Sequence, residues 1–130
     1  MDKVLVDTSA WIEFFRKKEP YYKIISDLME HDKVCCIGIV IAELLQGAKS
    51  GKELSTLKEF VHVFDLLPET AALWQRAGEL SFNLKKKGVS VGLSDCYIAS
   101  IAEAADIRLL TLDKHFSSIV GETGLNLYKV

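Results

Sequence analysis

Val4-Leu5-Val6-Asp7-Thr8-Ser9 is apolar for three residues and then abruptly polar. A short apolar run of this kind reads as a buried strand, and Asp, Thr and Ser are favoured where a helix begins. The stretch therefore predicts a strand at 4–6 that passes straight into a helix. Beyond it, Trp11, Ile12, Phe14 and Phe15 supply a helical apolar stripe. Arg16, Lys17 and Lys18 suit a last turn, where cations complement the helix dipole.

The alternation repeats outward. Pro20 opens a second helix, with Tyr21, Ile24, Ile25, Leu28 and Met29 at helical spacing, and Val34 to Ile37 reads as a second strand. Residues 39–48 form a short helix, apolar almost all round, whose polar members Glu43 and Gln46 share one face. A polar helix is expected over 52–60 and a third strand from Val61 to Leu66. The longest helix, about 69–87, follows Pro68 and is closed by Lys85 to Lys87 and Gly88. Ser94 is expected to cap a helix over about 95–105. A strand at Leu109 to Leu112, a helical turn at 113–119 and a last strand near 125–129 complete the chain.

Strands separated by helices predict an α/β fold: a central, mostly parallel sheet of four to five strands covered by helices on both faces. With no internal repeat, low-complexity tract or linker, residues 1–130 read as one domain. Apolar residues make up 49% and charged residues 26%, the balance of an ordinary globular protein. No apolar stretch approaches the roughly 20 residues of a membrane span. The start, Met-Asp-Lys-Val-Leu-Val-Asp, lacks the features of a secretory signal, so a cytoplasmic protein is expected. The net charge of −2 provides no basic field for a polyanion, although acids that bind metal would offset this. Cys35, Cys36 and Cys96 have neither bridging nor zinc-binding spacing and read as small buried apolar residues.

Four acids stand where apolar runs meet a turn or helix: Asp7, Glu43, Asp95 and Asp113. A carboxylate next to a core is costly unless it is hydrogen-bonded, paired or bound to a metal. Each has a plainer reading. Asp7 could cap the first helix, although Thr8 and Ser9 could cap it equally well; Asp95 could complement a helix dipole; Asp113 could be a turn residue. Glu43, flanked by Ile41, Ala42, Leu44 and Leu45, is the hardest to explain structurally. Asp7 and Asp113 both follow strands, which places them at the carboxyl edge of a parallel sheet, where ligand sites collect. Clustered carboxylates repel one another unless a cation neutralises them, and a hard divalent cation takes oxygen ligands.

Other features take structural readings. Trp11, Phe14 and Phe15 suit a core, with a partner groove or dimer surface as the alternative. Lys85 to Lys87 suit a solvated helix end rather than an RNA contact, for which Arg76 and Lys114 are better placed. His31, His62 and His115 show no metal-ligand spacing, and surface or cap roles are expected for them, with a catalytic His115 next to Asp113 as the lesser alternative.

Four ordered segments resemble the PIN-domain ribonucleases, specifically the VapC toxins of toxin–antitoxin pairs. They are Val6-Asp7-Thr8-Ser9-Ala10-Trp11-Ile12-Glu13, Ile41-Ala42-Glu43-Leu44-Leu45-Gln46-Gly47, Leu93-Ser94-Asp95-Cys96-Tyr97-Ile98-Ala99 and Leu110-Thr111-Leu112-Asp113-Lys114-His115-Phe116. The resemblance implies endonucleolytic cleavage of RNA dependent on Mg²⁺ or Mn²⁺, by a metal-activated water, leaving a 5′-phosphate and a 3′-hydroxyl. It makes Asp7, Asp95 and Asp113 the metal-binding aspartates, Glu43 the remaining catalytic acid, and Ser9 and Thr111 the supporting hydroxyls. It further implies a homodimer, a small antitoxin whose tail lies in a groove beside the site, and operator DNA bound only through that antitoxin. The third segment departs mildly, because Pro or Asn before the Asp and Ala after it are more familiar in the family.

Other functions fit less well. A receiver domain would want an acidic pair after the first strand, and a haloacid-type phosphatase would want Asp-x-Asp, which Thr8-Ser9 breaks. A stand-alone RNA-processing nuclease and a non-catalytic interaction module of the same fold are the alternatives.

Overall fold

A computed structural model describes residues 3–130, so the first two residues of the Met-Asp-Lys start lie outside the described residues. Strands β1 (Val4–Val6), β2 (Val34–Cys36), β3 (Asp65–Leu66) and β4 (Arg108–Leu110) form a sheet in the order β3-β2-β1-β4. Every pairing is parallel, with Leu5 opposite Cys35 on one side and Leu109 on the other. The helices are α1 (Thr8–Phe15), α2 (Tyr21–Glu30), α3 (Gly38–Gln46), α4 (Gly51–Val61), α5 (Ala71–Lys86), α6 (Leu93–Ala105) and α7 (His115–Val120). Among the described residues, no helix is long and apolar enough to cross a membrane.

The central strands are apolar because both faces are covered: Val4, Leu5 and Val6 are fully buried. Helix α6 forms the other half of the core, with Cys96 to Ala102 all buried, and α5 packs chiefly on it. Cys35, Cys36 and Cys96 are free and buried, as expected, and burial pushes the Cys36 thiol up to about 11. Trp11 is fully buried within the rings of Phe14, Phe15, Phe60 and Phe64, which bears out the core reading, while Phe15 stays 42% exposed. Its indole Nε1 is the one buried side-chain polar atom without a partner among the described residues.

Several boundaries differ from expectation. The run Arg16-Lys17-Lys18 follows α1 instead of forming its last turn: Lys17 turns left-handed (φ 54°), and Lys17 and Lys18 donate back to Phe14 and Glu13. Gly88 (φ 79°) closes α5 in the same way, as expected. The third strand shrinks to Asp65–Leu66, because Val61 still belongs to α4, packed on the core, and Val63 is 68% exposed. The last strand reduces to one parallel bridge, Leu109 to Leu127. Ser94 lies inside α6, whose cap position is Gly92.

Leu109 is fully buried between Leu5 of β1 and this terminal segment. Leu109→Ala should leave a cavity and cost about 2–5 kcal/mol, read from chemical denaturation monitored by circular dichroism.

Candidate active site

The parallel register sets Val6 opposite Leu110, so the chain leaves β1 at Asp7 and β4 at Thr111 on the same edge of the sheet. The Asp7 N–H donates to the Leu110 carbonyl at 2.9 Å, extending the ladder by one bond. Asp7 is only 5% exposed. Its Oδ2 accepts from Ser9 Oγ and from Thr111 Oγ1, both at 2.8 Å. Those hydroxyls lie 3.2 Å apart, each committing its proton to Asp7. Their oxygens in turn accept backbone N–H groups, Leu112 onto Ser9 and Asp113 onto Thr111, both at 3.0 Å. Asp7 occupies the cap position of α1, yet its side chain caps nothing. The capping explanation for this acid is therefore not realised.

Asp113 follows directly. Its Oδ1 accepts from the His115 N–H at 2.9 Å and lies 3.2 Å from His115 Nδ1. The same Nδ1 is 3.7 Å from Asp95 Oδ2, which the first turn of α6 brings to this edge. Asp95, Asp113 and His115 each offer a ligand atom, and these atoms lie within 4.8 Å of one another, the only such group among the described residues. Asp7 and Glu43 stand outside that tight triple. Glu43, midway along α3, is held by Thr8, whose Oγ1 donates to its Oε1 at 2.7 Å.

Electrostatics join the four acids. The Asp95 carboxyl is raised from the ordinary 3.8 to about 6, by burial first, then by the neighbouring Asp113 and Asp7. Glu43 adds to this shift and His115 opposes it. Crowded carboxyl oxygens that resist shared ionisation are a donor set suited to a hard cation, and the cluster can hold a metal ion.

One contributor, Thr8, read only as a possible cap. His115 is exposed, as the surface reading has it, and also folds back onto Asp113, the neighbour for which a catalytic role was the lesser alternative. Of the cations considered for substrate, Arg76 is paired with Glu103 at 2.7 Å and Lys87 with Glu122 at 2.6 Å, while Lys114 is exposed beside Asp113. Beside Glu43 lies a groove of about 510 Å³, lined by Ile12, Phe15, Arg16, Lys49 and Leu57 among others.

The PIN domain model matches residues 4–122. The chain belongs to the PIN-domain family. This PIN domain is 28% identical over 127 residues to "Ribonuclease VapC1" of Methanocaldococcus jannaschii, covering 97% of this chain and 87% of that protein. It is 29% identical over 112 residues to "Ribonuclease VapC2" of Rickettsia felis, covering 82% and 84%. Among solved structures, the Rickettsia felis VapBC2 complex bound to a promoter DNA fragment matches with a TM-score of 0.76 and 26% identity, over 96% of each chain. DNA-bound VapBC from Salmonella typhimurium matches with a TM-score of 0.79 over 98% of each chain, at 23% identity, which speaks to the fold alone.

The raised Asp95 carboxyl has a consequence for stability. Between pH 3.8 and about 6 the unfolded chain loses this proton before the folded one does, so metal-free stability falls as pH rises through that window. Asp95→Asn removes the penalty. In EDTA it should raise Tm by several degrees at about pH 7.5 and converge on wild type near about pH 4, as read by scanning calorimetry.

Proposed function

We propose that this PIN-domain protein is a metal-dependent endoribonuclease, the toxin of a VapBC-type toxin–antitoxin pair, acting in the cytoplasm. The observation that carries the reading is the convergence of Asp7, Glu43, Asp95 and Asp113, of which the other three all act on the Asp95 carboxyl. The names and titles of its relatives, ribonucleases and toxin–antitoxin complexes, supply the substrate class and the partner.

In this reading Asp7, Asp95 and Asp113 hold the cation, Mg²⁺ in the cell with Mn²⁺ as a substitute, and Glu43 acts with them as the remaining catalytic acid. When bound, the cation supplies a Lewis acid that makes water a better nucleophile and stabilises charge developing at phosphorus. Ser9 and Thr111 support the site by fixing the Asp7 carboxylate in one orientation. Thr8 does the same for Glu43. Bound antitoxin would occupy the groove beside Glu43 and exclude RNA from the acids.

Purified protein should cut total RNA at discrete sites with Mg²⁺ or Mn²⁺, and not with EDTA. Asp7→Asn should lower the rate by roughly 100-fold or more, since loss of one preorganised electrostatic group typically costs 10²–10³. Folded, partner-free protein that cuts no RNA under any of these conditions would overturn the enzyme reading in favour of an interaction module.

A further inference from the structure

Outside the acid cluster, a second carboxyl network spans three helices. Glu69, in the turn between β3 and α5, accepts two hydrogen bonds: Oε2 from the Gly38 N–H at 2.9 Å, and Oε1 from the Tyr97 hydroxyl at 2.5 Å. Gly38 is the first residue of α3, and the preceding Ile37 offers that helix no side-chain cap. Glu69 thus caps α3 from a distance, with its negative charge at the positive end of the helix. Tyr97 is fully buried on α6, and its ring is stacked on Trp74 of α5 with centroids 3.7 Å apart and planes 12° apart. Tyr97 is therefore gripped twice, by the indole face of Trp74 in α5 and by the Glu69 carboxylate in the turn that precedes it.

The two tied helices carry site acids, and they are anchored unequally. Helix α6, bearing Asp95, is buried at seven successive residues, whereas α3, bearing Glu43, buries only Val40 and Leu44. We propose that Glu69 is a positioning residue that transmits the fixed placement of α6 to α3, and so holds Glu43 in register with Asp95; this rests on the metal-dependent nuclease reading above. Burial first, then the bond to Glu69, pushes the Tyr97 phenol up, so it remains a donor at working pH. The carboxylate suits this task because one group accepts from two donors on different helices.

The test compares Glu69→Ala, Glu69→Gln and Tyr97→Phe with wild type by Mn²⁺ titration calorimetry, Tm and amide NMR of the metal-free protein. Glu43 adds its negative charge to the acids that would take the cation, so its displacement in Glu69→Ala should weaken Mn²⁺ binding several-fold and shift the Glu43 and Asp95 amide resonances. Glu69→Gln retains an oxygen for the Gly38 N–H and an amide that can donate to the Tyr97 oxygen, and should restore both readouts. Tyr97→Phe breaks one of the two bonds and should fall between. A lower Tm in Glu69→Ala with unchanged Mn²⁺ affinity and unmoved Glu43 and Asp95 resonances would overturn the proposal alone. Wild type that binds no Mn²⁺ would overturn the reading of the site itself, and this proposal with it.

Discussion

A carboxylate 5% exposed needs donors, and the way Asp7 finds them organises this end of the molecule. Neither hydroxyl it uses is free to move. Ser9 belongs to α1 and Thr111 to the segment leaving β4, so the pair fastens both crossovers to the carboxyl edge of the sheet. Hydrogen bonds to a charged acceptor contribute about 1.5–3 kcal/mol each, enough for two of them to offset much of the cost of burial. Because each hydroxyl oxygen also accepts a backbone N–H, Asp113 inherits its position from the same network. One network of hydroxyls and backbone N–H groups thus fixes two of the four acids, Asp7 and Asp113.

What that arrangement leaves unsettled is charge. Four converging acids want a counter-ion, and the raised Asp95 carboxyl is the local sign of it. His115, exposed and within 3.7 Å of Asp95, offers partial relief when protonated. The groove beside Glu43 carries charges of both signs, Arg16 and Lys49 against Glu43 and Glu53, with Arg16 also 3.7 Å from Glu13.

Much of this was legible in the residues, for a physical reason. A strand buried on both faces has to be apolar throughout, so Val4 to Val6 and Val34 to Cys36 could be read as strands, and acids interrupting such runs mark the edge where they end. The illegible parts depend on conformation rather than composition. Lys17 adopts a left-handed turn that ends α1 before its basic run. Val61 to Leu66 has the residue types of a strand, but α4 keeps Val61 and only Asp65 and Leu66 pair with β2. Thr8 and His115 enter the site through contacts with Glu43, Asp95 and Asp113, and of those only the Asp113 contact lies within one local segment. Glu69 gave no signal at all, because its partners lie 31 and 28 residues away on other elements.

The two tryptophans have contrasting surroundings. Trp11 is sealed in a cage of phenylalanines with its indole N–H unsatisfied, while Trp74 is 44% exposed and lies flat on Tyr97. Intrinsic fluorescence from this chain therefore has two distinct sources. A blue, apolar emitter reports the aromatic core under α1, and a redder, solvent-touched one reports the junction of α5 with α6. Substituting either one leaves a one-colour protein in which loosening of the core and loosening of the helix junction can be watched separately.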